Sequence, residues 1–277
     1  MAASHFFPPH RLRRQGGKEW EAAIKLRILG CGTSFGVPRI GNDWGECDPS
    51  NPRNRRRRAS ILVEEAGTRI LVDTSPDLRE QLLDAETATL DAVLWTHDHA
   101  DHCHGIDDLR AVFHARGAPI PGYARRATLE ALRNRFTYAF EGKGGYPAVI
   151  GGQLLPDALG VGPIHVRVVD QPHGAITSAG LRFEAAGRSI AYSTDCNDLT
   201  DDMLALFKDV DLWVVDALRR RPHPTHPHLE RTLEWIGKVK PGRAILTHMD
   251  NSLDYAALAA ELPDGVEPGY DGLEVVL

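Results

Sequence analysis

The sequence predicts an α/β fold of two mixed β-sheets with helices on the outside. Three observations lead there. Short runs rich in Val, Ile and Leu recur along the chain, bounded by Gly, Pro or Asp, as buried strands are. Two of them, "SILVEE" and "RILVDT", are separated only by "AGT" and read as an antiparallel hairpin. Others alternate with helical patterns, the way parallel strands are joined. A chain that does both forms no purely parallel sheet, and two mixed sheets flanked by helices accommodate it.

In chain order, the first strand is "IKLRILG" (Ile24–Gly30), which alternates apolar and polar residues and runs into the glycine-rich turn "GCGTSFGVP". Further strands are expected at "SILVEE", "RILVDT", "AVLWTH", "IHVRVVD", "LRFEAA", "SIAYSTD", "LWVVDA" and "RAILTH". Helical patterns cover Pro76–Leu83, Leu109–Arg116, Ala127–Phe136, Met203–Phe207, Pro227–Val239 and Leu253–Glu261, the first and fifth with proline in the first turn, where its missing N–H costs nothing. The long stretch Glu141–Gly162 reads as irregular, either a surface lid or a connection.

Size and composition narrow the class. A single domain over residues 21–277 is expected, preceded at residues 1–20 by a mobile tail, since "MAASHFFPPHRLRRQGG" has prolines and arginines where a signal peptide needs an apolar stretch. With 42% hydrophobic and 25% charged residues a sizeable core is available. A formal net charge of -6 speaks against a surface built throughout to hold nucleic acid, while leaving room for a local basic patch. No apolar run is long enough to span a membrane. Cys31, Cys47, Cys103 and Cys196 are scattered without a CxxC pair, which points to reduced thiols in a cytoplasm.

The chemistry concentrates behind "DAVLW". There "THDHADH" supplies Thr96, His97, His99, Asp101 and His102. Histidines two apart in extended backbone point the same way, while Asp101 and His102 can turn toward a second point, which suits two metals. The plainer alternative is a polar loop capping a helix that starts near Gly105. Three further ligand types end apolar runs elsewhere: His173 in "VVDQPHG", Asp195 in "AYSTDC" and His248 in "AILTHMD". An α/β sheet gathers such strand ends at one edge.

With these residues in place, the chain resembles the metallo-β-lactamase superfamily from about Ile24 onward. The resemblance implies an αββα sandwich with a dinuclear site on one edge. It implies that His97, His99 and His173 hold one metal, that Asp101, His102 and His248 hold the other, and that Asp195 bridges them. Asp73 in "ILVDTSPD" falls where the superfamily has a buried aspartate that orients a histidine, although a turn-capping role explains it equally. Two divalent ions, less two aspartates and a bridging hydroxide, leave the site net positive, which favours an anionic phosphodiester. Zinc and manganese both suit His/Asp ligands, and iron is compatible with them.

A leaving alkoxide needs a proton, and "RRRPHPTHPHLE" offers His223, His226 and His228 near the start of a helix. Phosphodiesterase branches of the superfamily place a histidine there, so the resemblance makes His226 the general acid or electrostatic support, against the alternative of exposed histidines in a proline-rich loop. The turn "GCGTSFGVP", "HGIDDLR" and the ending "EPGYDGLEVVL" together look like the phosphoribosyl 1,2-cyclic phosphate phosphodiesterases of the carbon–phosphorus lyase pathway. Those enzymes commonly carry a structural zinc on three cysteines and a histidine. Here the matching region has only Cys47, and Asn251 stands three residues beyond His248, so no structural zinc is expected.

Arg53, Arg55, Arg56, Arg57 and Arg58 form either a solvated charge run or, with Arg58 foremost, contacts to the substrate's second phosphate. Arg110 and His223 are further substrate-binding candidates, with an Arg110–Asp107 ion pair as the simpler account of the former. Cys196 comes directly after the bridging Asp195, where lactam-hydrolysing members place a ligating cysteine, yet a bridging aspartate favours phosphoester chemistry. Cys103 is expected to be buried and inert.

These expectations combine into a cytoplasmic, dinuclear phosphodiesterase. It would hydrolyse a small cyclic phosphate or nucleotide-like phosphodiester by a metal-bound hydroxide, as a homodimer. The rival readings are an RNA-processing 3′-end nuclease of the same superfamily and a non-catalytic nucleotide-binding metalloprotein.

Overall fold

The computed structural model describes residues 23–277, so the tail expected at residues 1–20 lies outside the described residues. One sheet contains β1 (Lys25–Gly30), β2 (Ser60–Glu65), β3 (Thr68–Val72), β4 (Ala92–Trp95), β5 (Ile120–Ala124) and β6 (Ile150–Leu154), in that order, with β14 (Glu274–Val276) on the outer side of β1. The other contains β7 (Ala158–Val161), β8 (Ile164–His173), β9 (Ile176–Ala185), β10 (Arg188–Ser193), β11 (Leu212–Asp216), β12 (Arg243–Thr247) and β13 (Val266–Pro268), also in sequence order. Each sheet is antiparallel on one side and parallel on the other: β3 to β6 and β10 to β13 run parallel. This is the mixed two-sheet α/β fold that the sequence predicts.

Eight α-helices, besides two short 3-10 turns, accompany the sheets among the described residues. They are α1 (Leu78–Asp84), α2 (Ala100–Cys103), α3 (Leu109–Arg116), α4 (Arg126–Arg135), α5 (Thr137–Glu141), α6 (Asp201–Phe207), α7 (Leu229–Val239) and α8 (Tyr255–Glu261). None is long and apolar enough to cross a membrane.

Two apolar layers hold this together. β4 shows why its run reads as continuously apolar: Ala92 and Leu94 face the layer shared with the second sheet, whereas Val93 and Trp95 face the layer with Leu78, Leu109 and Leu132. Val93 and Leu94, removed wholly from water, each contribute about 1.5–3 kcal/mol before entropy is counted. β4 is thus rigid, and the turn behind it is well aimed.

The stretch expected to be irregular, Glu141–Gly162, instead holds β6 and β7, the outermost strands of the two sheets on one side. Edge strands have one pairing neighbour and a less buried face, so their patterns are weak, and β6 is further blurred by Gly151 and Gly152. β5 is also absent from the strands the sequence predicts, because "IPGYA" carries Pro121 and Gly122. Gly122 is needed there: a Cβ would sit 2.7 Å from the Trp95 ring.

Candidate metal centre

The strand directions send β3, β4, β8, β10, β11 and β12 to end at one common edge. A hydrogen bond from Ala179 N to Thr96 O, 2.9 Å, ties the second sheet to the turn after β4. At this edge Asp73, Asp195 and His248 take positive φ values of 63°, 53° and 57° just past β3, β10 and β12. A non-glycine residue in that region costs about 1–3 kcal/mol, and such strain collects where side chains must be aimed.

The turn after β4 divides its ligands as its backbone changes. His97 and His99 lie in the turn, His99 in extended conformation as the cap of α2, and the single turn of α2 then carries Asp101 and His102. The helix expected near Gly105 is thus preceded by a shorter one inside the motif. Two ligand groups draw on this turn, His97, His99, His173 and Asp195, and Asp101, His102, Asp195 and His248, and a third joins Asp195 and His248 to Asp216 and His226; each has its ligating atoms within 4.8 Å of one another. Asp195 belongs to all three. Its Oδ1 lies 3.7 Å from His97 Nε2 and 3.6 Å from His173 Nε2, and its Oδ2 3.1 Å from His102 Nε2 and 3.4 Å from His248 Nε2.

The surrounding hydrogen bonds fix which ring nitrogens face inward. His173 Nδ1 donates to Thr225 O (2.9 Å), and His102 Nδ1 donates to Asp73 Oδ2 (2.8 Å). Thr96 Oγ1 gives its proton to Asp73 Oδ2 and so accepts from His97 Nδ1 at 3.0 Å. Each of these rings therefore presents Nε2 as a lone pair to the centre. His97 Nε2 and His102 Nε2 are buried without a hydrogen-bond partner, which is costly for a polar atom unless something binds it. Eight converging donor atoms of imidazole and carboxylate type fit two divalent cations. Asp73 accepts the Thr96 N–H at 2.8 Å, across to the turn after β4, and its other carboxylate oxygen accepts from His102 Nδ1.

The electrostatics agree. Burial opposes charge on His102 and His248, yet the nearby carboxylates of Asp195 and Asp101 overcome it, raising His102 well above the usual imidazole range and His248 to about 9. Burial likewise opposes ionisation of Asp195, but His248 and His102 hold it well below the usual carboxylate range. The potential that draws protons onto these rings is the one that draws metal cations. Burial and the His102 charge hold His97 neutral, and burial does the same for His173, leaving both as lone-pair donors.

Beside this cluster stands His226. Hydrogen bonds from Leu218 N to Pro227 O and from Leu229 N to Arg219 O close the loop before α7 and return His226 to the edge. Its Nδ1 meets Asp216 Oδ2 at 2.8 Å, its Nε2 lies 3.8 Å from Asp195 Oδ1, and its ring stacks on His248 at 4.8 Å. The sequence reading takes "LWVVDA" as a strand and passes over Asp216. The signal is present, an acid ending an apolar run as Asp195 does. Thr225, whose carbonyl holds His173, carries no such signal.

The remaining candidates are distributed differently. His223 belongs to the His226 loop: its Nδ1 accepts from Thr225 N at 3.3 Å, and its ring lies 5.1 Å from that of His226. Arg58 is engaged with Asp77 at 3.0 Å. Arg110 lines two surface grooves that share no residue with the ligand groups, and among the described residues it forms no ion pair with Asp107. Arg57 pairs with Asp84. Arg56 is buried beside Cys47 and donates to the carbonyls of Asp250 (3.0 Å) and Leu253 (2.5 Å), tying the loop after β1 to the segment beyond His248. Cys103 and Cys196 are buried free thiols, and burial raises both above the usual thiol range.

Comparison with known proteins matches this arrangement. A family model described as a beta-lactamase superfamily domain matches residues 68–249. The structure of a diphosphatase from the PhnP family is 34% identical, with a TM-score of 0.85, over 92% of this chain and 97% of that one. An octanoyltransferase of Porphyromonas gingivalis is 35% identical over 267 residues, 92% of this chain, which spans about half (52%) of that protein's length. The exodeoxyribonuclease WalJ of Streptococcus pneumoniae is 28% identical over 167 residues, 57% of each protein. By its fold, its edge of histidines and aspartates and these matches, the chain belongs to the metallo-β-lactamase superfamily of metal-dependent hydrolases.

Proposed function

We propose that the protein is a dinuclear metal-dependent phosphodiesterase that cleaves a small phosphodiester or diphosphate ester of nucleotide type. The observation that carries this reading is the division of the Asp195 carboxylate, one oxygen toward each histidine group, with His226 beside it. Two divalent ions on two carboxylates and five imidazoles would leave the centre net positive, which suits an anionic ester, and the similarity to a diphosphatase is in keeping with it.

His97, His99 and His173 would hold one ion, Asp101, His102 and His248 the other, with Asp195 shared. When bound, the pair supplies Lewis acidity and a water acidified toward neutrality. The protein's own part is orientation and proton transfer. Asp73 and Thr225 lock the rings of His102 and His173. His226, its Nδ1 held by Asp216, keeps Nε2 for the leaving oxygen and donates a proton as the ester bond breaks. Zinc and manganese are the ions this donor set suits best.

The similarity to an exodeoxyribonuclease favours one variation, in which the ester belongs to the end of a DNA strand. The experiment is to measure metal content and hydrolysis of bis(p-nitrophenyl) phosphate for wild type and Asp195→Ala. Two ions per chain with turnover, and loss of both on substitution, are expected. Fewer than two tightly held ions together with no turnover would overturn the reading.

A further inference from the structure

The loop between β1 and β2 begins beside the metal ligands. Its Thr33 N donates to Met249 O, 3.1 Å, one residue past His248. Further along, the loop carries two pairs of an aromatic and a cationic side chain. Phe35 is 66% exposed, with the Arg39 guanidinium 5.5 Å from its ring centre, and the Arg55 guanidinium lies 5.3 Å from the ring of half-buried Trp44.

These two arginines differ from the others of the loop. Arg56, Arg57 and Arg58 are consumed by Asp250 and Leu253 carbonyls, by Asp84 and by Asp77, and Arg53 is held between the rings of Tyr255 and Tyr270. Arg55 has no carboxylate partner among the described residues. It borders a cavity of about 380 Å³ that Asp84 and Asp271 also line, with Asp84 paired to Arg57. Arg39 has only a distant carboxylate, Asp250 Oδ2 at 3.8 Å.

An arginine lying on an aromatic ring keeps its N–H edge for phosphate oxygens, and a ring exposed beside it offers a face on which a base stacks. We propose that Phe35, Arg39, Trp44 and Arg55 form the binding surface for the nucleotidyl group of the substrate, the base on the aromatic faces and the phosphate on the guanidinium groups. This assignment rests on the phosphodiesterase reading for the direction in which the ester enters. The pairing of flat apolar rings with unneutralised cations selects a ligand that has both an aromatic base and phosphate. Such a group belongs either to a small dinucleotide or to the end of a nucleic-acid strand.

The test is direct binding to the metal-loaded protein, read by fluorescence anisotropy, of an N-methylanthraniloyl-labelled ADP and a labelled DNA single strand, with ribose 5-phosphate as base-free competitor. Phe35→Ala with Trp44→Ala should weaken labelled ADP by about tenfold or more, the worth of one stacked base. Arg39→Gln with Arg55→Gln should weaken it similarly and flatten its salt dependence. Ile40→Ala, fully exposed on the same loop, should change nothing. Comparable binding of ADP and the strand identifies a small nucleotide, and much tighter binding of the strand identifies a strand end. Labelled ADP displaced as easily by ribose 5-phosphate as by ADP, or bound equally by both double variants, would overturn the inference. Hydrolysis of bis(p-nitrophenyl) phosphate without nucleotide binding sinks this surface and leaves the proposed activity standing. Nucleotide binding without hydrolysis does the reverse.

Discussion

Asp216 Oδ2 receives both the Nδ1–H of His226, at 2.8 Å, and the backbone N–H of Asp195, at 3.1 Å. One buried carboxylate therefore fixes His226, the proposed proton donor, and Asp195, the proposed bridging ligand, relative to each other. Thr232 Oγ1, donating to Asp216 O at 2.7 Å, anchors α7 to the same residue.

Asp216→Asn keeps the shape but removes the carboxylate charge facing the His226 Nδ1–H, which supports the doubly protonated ring from which Nε2–H is given up. The expected result is a fall in kcat of roughly 10²- to 10⁴-fold, the usual worth of a positioned acid, with KM and metal content near wild type. Steady-state kinetics with metal analysis checks it. A parallel rise in KM with unchanged kcat would contradict the role given to His226.

Asp73→Asn should act on metal affinity rather than on the proton. The His102 ring loses its charged acceptor at 2.8 Å, and affinity at one of two sites should weaken about 10- to 100-fold. Competition with a chromogenic chelator resolves the two sites. Equal weakening at both would mean that Asp73 acts through the turn as a whole.

Asp271 makes stability depend on pH. Burial, only partly offset by the N–H groups of Arg57 and Cys31, pushes its carboxyl up to about 7. An acid whose folded value is raised binds its proton more tightly when folded. Its contribution is complete below the unfolded value near 3.8 and is lost as pH rises through about 7. Urea melts at pH 5 and pH 8 should therefore show wild type losing up to ~3 kcal/mol more than Asp271→Asn between those two points. An identical pH dependence in both proteins would remove Asp271 as the cause.

Arg56→Met should free the loop after β1 from the segment behind His248. Two charged hydrogen bonds to buried carbonyls are lost, and a destabilisation of about 2–4 kcal/mol is expected. Arg56→Lys restores one donor and should recover part of it. Thermal melts of both variants decide this.

The sequence by itself determined the fold class and the ligand types. Hairpins beside strand–helix alternation require mixed sheets, and histidines spaced as His97, His99 and His102 behind an apolar run have few other physical uses. It also carried the strand-end positions of His173, Asp195 and His248, because apolar runs mark where strands stop. It did not distinguish Asp216 from an ordinary strand-end acid, since only the parallel neighbour β10 and the returning loop before α7 bring Asp195 and His226 to it. Edge strands β6 and β7 were equally hidden, because a half-paired strand needs no strong pattern. The arginine run was the most ambiguous stretch. Five similar residues in one dimension became one buried tie, two ion pairs, one cation held between tyrosines and one unneutralised guanidinium, because the partners lie far along the chain and only the folded edge brings them within reach.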